Sequence, residues 1–161
     1  MKKLQTLRCC LSKISKADQQ DMERLYTSAQ TRKFLGGALS AQAAREKIDR
    51  LILDREEIFA VRLKENGALL GLVYLNPYYD TPACELSYEF LPEFWGQGYA
   101  CEVLSELLRY CGQERGEKEL LAETQQKNTA SRRLLEKLGF EQEKELTRFG
   151  ERQMVYRKIL K

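Results

Sequence analysis

Histidine is absent from this 161-residue chain, which excludes mechanisms that need an imidazole base, the Ser-His-Asp and Cys-His types among them. The five cysteines, at positions 9, 10, 84, 101 and 111, are odd in number and lack paired metal-ligand spacing, and no histidine can complete a zinc site. They read as reduced, small apolar residues, and no metal is expected. Chemistry is left to carboxylates, tyrosines, hydroxyls, thiols and the backbone. Net charge is also scarce: 27 Lys and Arg against 24 Asp and Glu leave +3, which argues against a dedicated nucleic-acid binder with its basic face. No apolar run reaches the length of a membrane span. The N-terminus carries Lys2 and Lys3 but no apolar stretch of a signal peptide, so a cytoplasmic location is expected. Repeats, low-complexity segments and linkers are missing too. With 43% apolar and 32% charged residues, the expectation is one soluble domain over residues 1–161 with one substantial core.

The most informative stretch runs from Cys84 to Cys101. Leu86, Tyr88 and Phe90 alternate with Glu85, Ser87 and Glu89, the period-two pattern of a strand with one buried face. Pro92 has no N–H to donate and ends the ladder. Trp95-Gly-Gln-Gly98 follows, and then Val103, Leu104, Leu107, Leu108 and Cys111 recur at helical spacing. Strand, glycine turn and helix start together leave N–H groups without intrahelical partners, at the positive end of a helix dipole, which suits an anion such as a pyrophosphate. The Gly-Lys-Ser/Thr ending of a Walker loop is missing, because Tyr99 and Ala100 follow Gly98. So is the third glycine of a dinucleotide fingerprint, replaced by Cys101.

Elsewhere the chain reads as a first strand over 4–9, a helix capped near Ser15–Asp18 and ending near Gln30, and a helix from Ser40 to about Asp54. Strands over 57–64 and 68–76 flank Asn66-Gly67, which predicts a tight primed hairpin turn with positive φ at both residues. With the strand from Cys84 they form an antiparallel meander. A helix over about 99–114, closed by Gly116, leads to a strand over 118–124, parallel to the one from Cys84 through a right-handed crossover. A short helix from Asn128 to Leu138 and a terminal hairpin around Gly150, with Phe149 among its apolar residues, complete the chain.

Two blocks, Pro92-Glu-Phe-Trp-Gly-Gln-Gly-Tyr-Ala-Cys-Glu102 and Asn128-Thr-Ala-Ser-Arg-Arg-Leu-Leu-Glu-Lys-Leu-Gly-Phe140, with weaker support from Phe34-Leu-Gly-Gly37, Phe59-Ala-Val61 and Gly71, carry a resemblance over nearly the whole chain. The chain resembles the GNAT superfamily of N-acetyltransferases, closest to the branch that includes ribosomal-protein N-terminal acetyltransferases. The resemblance implies an α/β (α+β) fold: a mixed, mainly antiparallel sheet of about seven strands with about four helices and a splayed parallel pair in the centre. It implies acetyl-CoA as co-substrate between those strands. The pyrophosphate would lie on the amides of Gln97, Gly98, Tyr99 and Ala100, the pantetheine arm along the backbone of Phe90 and Leu91, and Asn128, Ser131 and Arg132 would also contact the cofactor. Residue by residue, Asn128 and Ser131 also read as plain helix caps, and Arg132 as a surface charge.

The implied reaction is direct attack of an amine on the thioester with both substrates bound. An alkylammonium near its usual pKa of about 10 needs a proton acceptor. Glu123, five residues before the asparagine, is the first candidate by resemblance, followed by Glu89 and Glu85, and surface charge is the alternative for each. A backbone N–H near Phe90 or Leu91 would face the oxyanion. Two positions depart from the family pattern: Glu93 where many relatives have Gln or Arg, and Leu135 where many have a tyrosine that protonates the thiolate. Tyr88, Tyr99 or Ser131 could replace it. A protein N-terminal amine leads as acceptor, ahead of a small-molecule amine such as an amino acid, polyamine or antibiotic. Its groove is expected from the first two helices, the 76–82 loop and the terminal hairpin. A non-catalytic acyl-CoA sensor is the rival reading. Neither membrane nor nucleic acid is expected as a partner, and the chain is expected to be a monomer or homodimer.

Overall fold

A computed structural model describes residues 4–54, 56–79 and 81–161. Its strands are β1 (Leu4–Gln5), β2 (Cys9–Lys13), β3 (Glu57–Leu63), β4 (Leu69–Pro77), β5 (Cys84–Phe90), β6 (Glu119–Gln125), β7 (Glu141–Arg148) and β8 (Glu151–Ile159). The helices are α1 (Gln19–Tyr26), α2 (Ala41–Leu53), α3 (Tyr99–Gln113) and α4 (Thr129–Lys137). The eight strands form one sheet in the order β1-β2-β3-β4-β5-β6-β8-β7. The ladder of β5 with β6 is parallel and pairs Cys84 with Leu120 and Glu85 with Leu121, near the start of both strands. The mixed, mainly antiparallel sheet expected from the sequence is present, with one strand more than the seven expected. No described helix is long and apolar enough to cross a membrane.

The extra strand comes from the N-terminus. The single strand read over 4–9 is instead two, because Thr6 bonds back to Cys9 through its N–H (2.9 Å) and reverses the chain. The first helix also stops sooner than expected, at Tyr26, and the chain turns through residues 29–36. The hairpin between β3 and β4 forms, but its turn is not the two-residue primed type. Gly67 has a φ of +73°, while Asn66 is not among the positive-φ residues. Asn66 contributes its side chain instead, accepting from the N–H of Ala68 at 3.0 Å, and Leu63 and Ala68 close a wider loop. Phe149 lies at the tip of the β7–β8 turn with a φ of +56°, followed by Gly150 at +73°, and its ring is 85% exposed. It does not join the apolar face of the hairpin.

Two compact units can be described separately: the chain up to Tyr74 together with Tyr88–Val103, and Leu75–Ser87 together with Leu104–Lys161. In the first, Met22, Leu25 and Tyr26 of α1 and Ala44 and Ile48 of α2 lie at helical spacing. They pack on Ile58, Ala60, Leu69 and Leu72 of the sheet and on Leu91. Each such large side chain contributes roughly 1.5–3 kcal/mol by leaving water. Ser40 caps α2 by accepting from the N–H of Ala43 at 3.1 Å. In the second unit β8 lies between β6 and β7, antiparallel to both, with Val155 packed against Leu121 and Tyr78.

At one point strands approach too closely for a side chain. A Cβ on Gly71 of β4 would lie 2.1 Å from the carbonyl oxygen of Glu89 and 2.8 Å from the Cα of Phe90. Those are backbone atoms, which cannot rotate away. Gly71→Ala should therefore lower the unfolding free energy by about 1–3 kcal/mol. Urea denaturation is the measurement, and an unchanged midpoint would refute the close approach.

Candidate active site

The turn after β5 is built by its own side chains. Pro92–Phe94 make a 3₁₀ turn, the indole N–H of Trp95 donates to the carbonyl of Phe90 at 2.8 Å, and the Gln97 amide donates to the carbonyl of Glu93 at 2.8 Å. Gly96 and Gly98 have φ of +70° and +81°, the left-handed region that glycine enters without steric cost. The first intrahelical bond of α3 runs from the N–H of Glu102 to the carbonyl of Gly98 at 3.1 Å. The N–H groups of Tyr99 and Ala100 therefore have no carbonyl one turn back to bond. The Arg8 guanidinium lies along this turn: Nη1 donates to the carbonyl of Gln97 at 3.1 Å, Nε to Glu102 at 2.7 Å, and the group stacks 4.0 Å from the centre of the Tyr99 ring. Nothing in the sequence marked Arg8, which is 89 residues from Gln97. The departure at Glu93 has a local explanation, since its carboxylate pairs with Arg24 of α1.

One expected role is corrected here. The N–H of Leu91 donates to the carbonyl of Leu70 at 2.8 Å, so it is not the oxyanion donor. Of the two expected donors, that leaves the N–H of Phe90.

Glu89 is not a surface charge. It is 6% exposed, and its carboxylate faces Arg32, itself 7% exposed, at 3.4 Å. The Tyr74 hydroxyl donates to it at 2.9 Å, and Tyr74 in turn shares a 2.6 Å hydrogen bond with the Tyr26 hydroxyl. Arg32 also holds the carbonyls of Gly37 (2.8 Å) and Leu35 (2.7 Å). Burial raises the carboxyl pKa of Glu89, against the opposing pull of Arg32, Tyr74 and Lys47. With its oxygens engaged this way, Glu89 is a structural ion pair of the first unit.

In the second unit the structure brings Glu85 and Glu123 together. Glu85 lies opposite Leu121 in the parallel ladder, and Glu123 is two residues further along the same face of β6. Glu123, its side chain 8% exposed, accepts from Arg148 Nε at 3.0 Å. Arg148 also reaches the Tyr78 hydroxyl at 3.5 Å and lies over the Tyr79 ring, 3.5 Å from its centre. Burial and the neighbouring Glu123 push the Tyr78 hydroxyl up to about 12. Among the described residues no hydrogen bond or ion pair holds the Glu85 carboxylate. Burial, then the charge of Glu123, raises it from the ordinary 4.5 to about 7, with Arg148 opposing. Tyr78, Tyr79 and Arg148 lie in the loop and hairpin expected to line the acceptor groove, but no residue pattern singled them out.

On α4, Asn128 caps the helix, its Oδ1 accepting from the N–H of Ser131 at 3.2 Å. Arg132 donates to the Tyr156 hydroxyl at 3.1 Å and to the carbonyl of Gln126 at 3.3 Å. Leu135 is buried, so the tyrosine position of many relatives is here a core position. No group of three or more potential metal ligands occurs among the described residues.

The acetyltransferase (GNAT) domain profile matches residues 8–141. Among curated proteins, the uncharacterized N-acetyltransferase YnaD of Bacillus subtilis is 26% identical over 107 residues, which is 66% of this chain and 63% of YnaD. The chain thus spans less than two thirds of the length of the curated relatives it matches. Among solved structures, a GNAT-family acetyltransferase from Bacillus anthracis superposes with a TM-score of 0.87 at 20% identity, over 98% of both chains. An acetyl transferase of Salmonella typhimurium, which modifies the N-terminal serine of the 50S ribosomal subunit protein L7/L12, gives a TM-score of 0.84 at 14% identity. That match covers 99% of this chain and 100% of the other. At these identities the solved structures speak for the fold alone, whereas the profile covers most of the sequence: the chain belongs to the acetyltransferase (GNAT) domain family.

Proposed function

We propose that the protein is an N-acetyltransferase that moves the acetyl group of acetyl-CoA to a primary amine, with Glu85 as the proton acceptor. The observation that carries this reading is the Glu85 carboxyl, half-buried beside Glu123 and raised to about 7, where a general base is most effective at neutral pH. Glu123, first by sequence resemblance, is engaged by Arg148 and acts on Glu85 as a neighbouring charge. Glu89 is assigned to structure.

Acetyl-CoA supplies the activated acetyl thioester. The glycine turn fits its pyrophosphate: Gly96 and Gly98 are in the left-handed region, and the guanidinium of Arg8 adds a positive charge at the turn, bonded to the carbonyl of Gln97 and stacked on the Tyr99 ring. The backbone of Phe90 and Leu91 is assigned to the pantetheine arm, and Asn128, Ser131 and Arg132 to further cofactor contacts. Phe90 N–H is the donor for negative charge on the acetyl oxygen. Glu85 accepts the proton of the amine. A thiolate leaving group with a pKa of about 8.5 requires no dedicated acid, which accommodates Leu135 in the core. For the acceptor we favour a protein N-terminal amine, on the resemblance of the two sequence blocks to the ribosomal-protein branch and on the Salmonella structure's substrate. A small-molecule amine is the alternative, and Leu135 keeps a non-catalytic acyl-CoA sensor as the rival.

Thiol release from acetyl-CoA across a panel of amines and N-terminal peptides separates enzyme from sensor: binding without release on any acceptor would select the sensor. The loop has its own test. Valine at position 98 cannot hold a φ of +81° without strain, so Gly98→Val should weaken acetyl-CoA by about tenfold or more. Trp95, the single tryptophan, reports the titration by its fluorescence, and circular dichroism should show the fold retained. Unchanged affinity would reject the loop as the pyrophosphate site.

A further inference from the structure

The same second-unit cluster contains a cation that the proposed reaction does not use. Arg148 ends β7, just before the Phe149-Gly150 turn, and three contacts hold its guanidinium: Glu123 at 3.0 Å, the Tyr78 hydroxyl at 3.5 Å and the Tyr79 ring at 3.5 Å. Tyr79 has a φ of +42°, rare for an aromatic residue, so its backbone is strained in the conformation that carries this ring. A surface arginine that merely solvates itself requires no such platform. Among the described residues, the charges that act on Glu85 are those of Glu123 and Arg148. With Glu85 ionised, these two carboxylates against one guanidinium leave a deficit of one positive charge.

We infer that Arg148 is a specificity-determining residue: it permanently fills one of the two cation positions beside Glu85 and Glu123, and so restricts the acceptor to amines that bring a single positive charge. The inference rests on the reading of Glu85 as the acceptor-side base. An acceptor ammonium completes the neutralisation and passes its proton to Glu85. A second positive charge on the acceptor then meets the guanidinium and is repelled. Removing Arg148 frees the second position, and acceptors with two positive charges gain there what singly charged ones cannot.

The test compares kcat/KM for two matched pairs: n-butylamine with 1,4-diaminobutane, and N-terminal peptides that differ only in alanine or lysine at their second residue. The wild type should prefer the singly charged member. Arg148→Gln should shift the ratio toward the doubly charged member by about tenfold, the scale of one partly screened charge pair. Arg148→Lys keeps the charge and should keep the wild-type ratio. If Arg148 only clasps the hairpin, Arg148→Gln lowers both members equally, the ratio stays fixed, and the inference is overturned. Should Arg148→Gln fail to fold, Tyr79→Leu removes the ring under the guanidinium and should move the ratio in the same direction by less; an unmoved ratio there is equally fatal. Failure of the underlying reading looks different: a wild type that releases no thiol with any amine removes Glu85 as a base, and the inference with it.

Discussion

Glu85→Gln should lower turnover by about two to four orders of magnitude, the usual worth of a positioned general base, while making the protein more stable above neutral pH. Both effects follow from one cause. In the fold, burial and the charge of Glu123 hold the Glu85 carboxyl at about 7 against an ordinary 4.5. The native state thus keeps a proton that the unfolded chain has already lost between these values. The contribution of this group to stability is greatest below 4.5 and falls as pH rises through 7, because the unfolded state binds fewer protons there. At full ionisation the loss has an upper bound of about 3 kcal/mol. Glutamine carries no charge at any pH and removes that slope, so urea denaturation should show the variant ahead of the wild type at pH 8.5 and close to it at pH 5. Wild-type kcat/KM should rise with pH through an inflection near 7, and the variant's residual rate should lack that inflection. A variant with near-wild-type turnover, or a wild-type profile flat through this range, would remove Glu85 from the reaction.

Most of the architecture was legible in the sequence because it rests on local patterns. Alternation marked β5, Asn128 and Ser40 marked helix starts that their side chains do cap, and the strand–helix–strand order fixed the parallel pair of β5 and β6. The misreadings share a physical origin. Asn66-Gly67 has the composition of a primed turn, but Asn66 forms a side-chain bond to Ala68 and leaves the left-handed conformation to Gly67. The N-terminal strand divides because of the reversal at Thr6 and Cys9, which apolar spacing does not record. At the site, the three carboxylates could be named, and the resemblance ranked Glu123 first, but their surroundings could not be read. What separates them is the partner each meets: Arg148, 25 residues from Glu123, and Arg32, 57 residues from Glu89, while neither pairs with Glu85. Period-two alternation even placed Glu89 on the polar face. Its burial depends on a distant guanidinium that no local pattern reveals.

That guanidinium is the subject of the second large effect: Arg32→Met should cost about 3–5 kcal/mol, the penalty for stranding a buried charge. Methionine fills comparable volume, so the loss is electrostatic and polar. Glu89 would keep the Tyr74 hydroxyl at 2.9 Å but lose the cation at 3.4 Å, and the carbonyls of Leu35 and Gly37 would lose their donors. The remaining groups facing Glu89 are Tyr74, backed by Tyr26, and Lys47. Burial already raises this carboxyl, and loss of Arg32 removes the first of the opposing influences, so the variant binds a proton over a wider range than the wild type. Its stability should therefore fall more steeply with rising pH above the ordinary carboxylate range, and denaturation at pH 5 and pH 8 should diverge more than for the wild type. The double variant Arg32→Met with Glu89→Gln tests the cause. A neutral amide still accepts from Tyr74 and needs no cation, so the pair should recover a substantial part of the loss and flatten the pH dependence. Glu89→Gln alone should retain turnover, in contrast to Glu85→Gln. If the double variant is no more stable than Arg32→Met, the cost lies in the Leu35 and Gly37 carbonyls and not in the ion pair. If Glu89→Gln abolishes turnover in a folded protein, Glu89 returns to the chemistry.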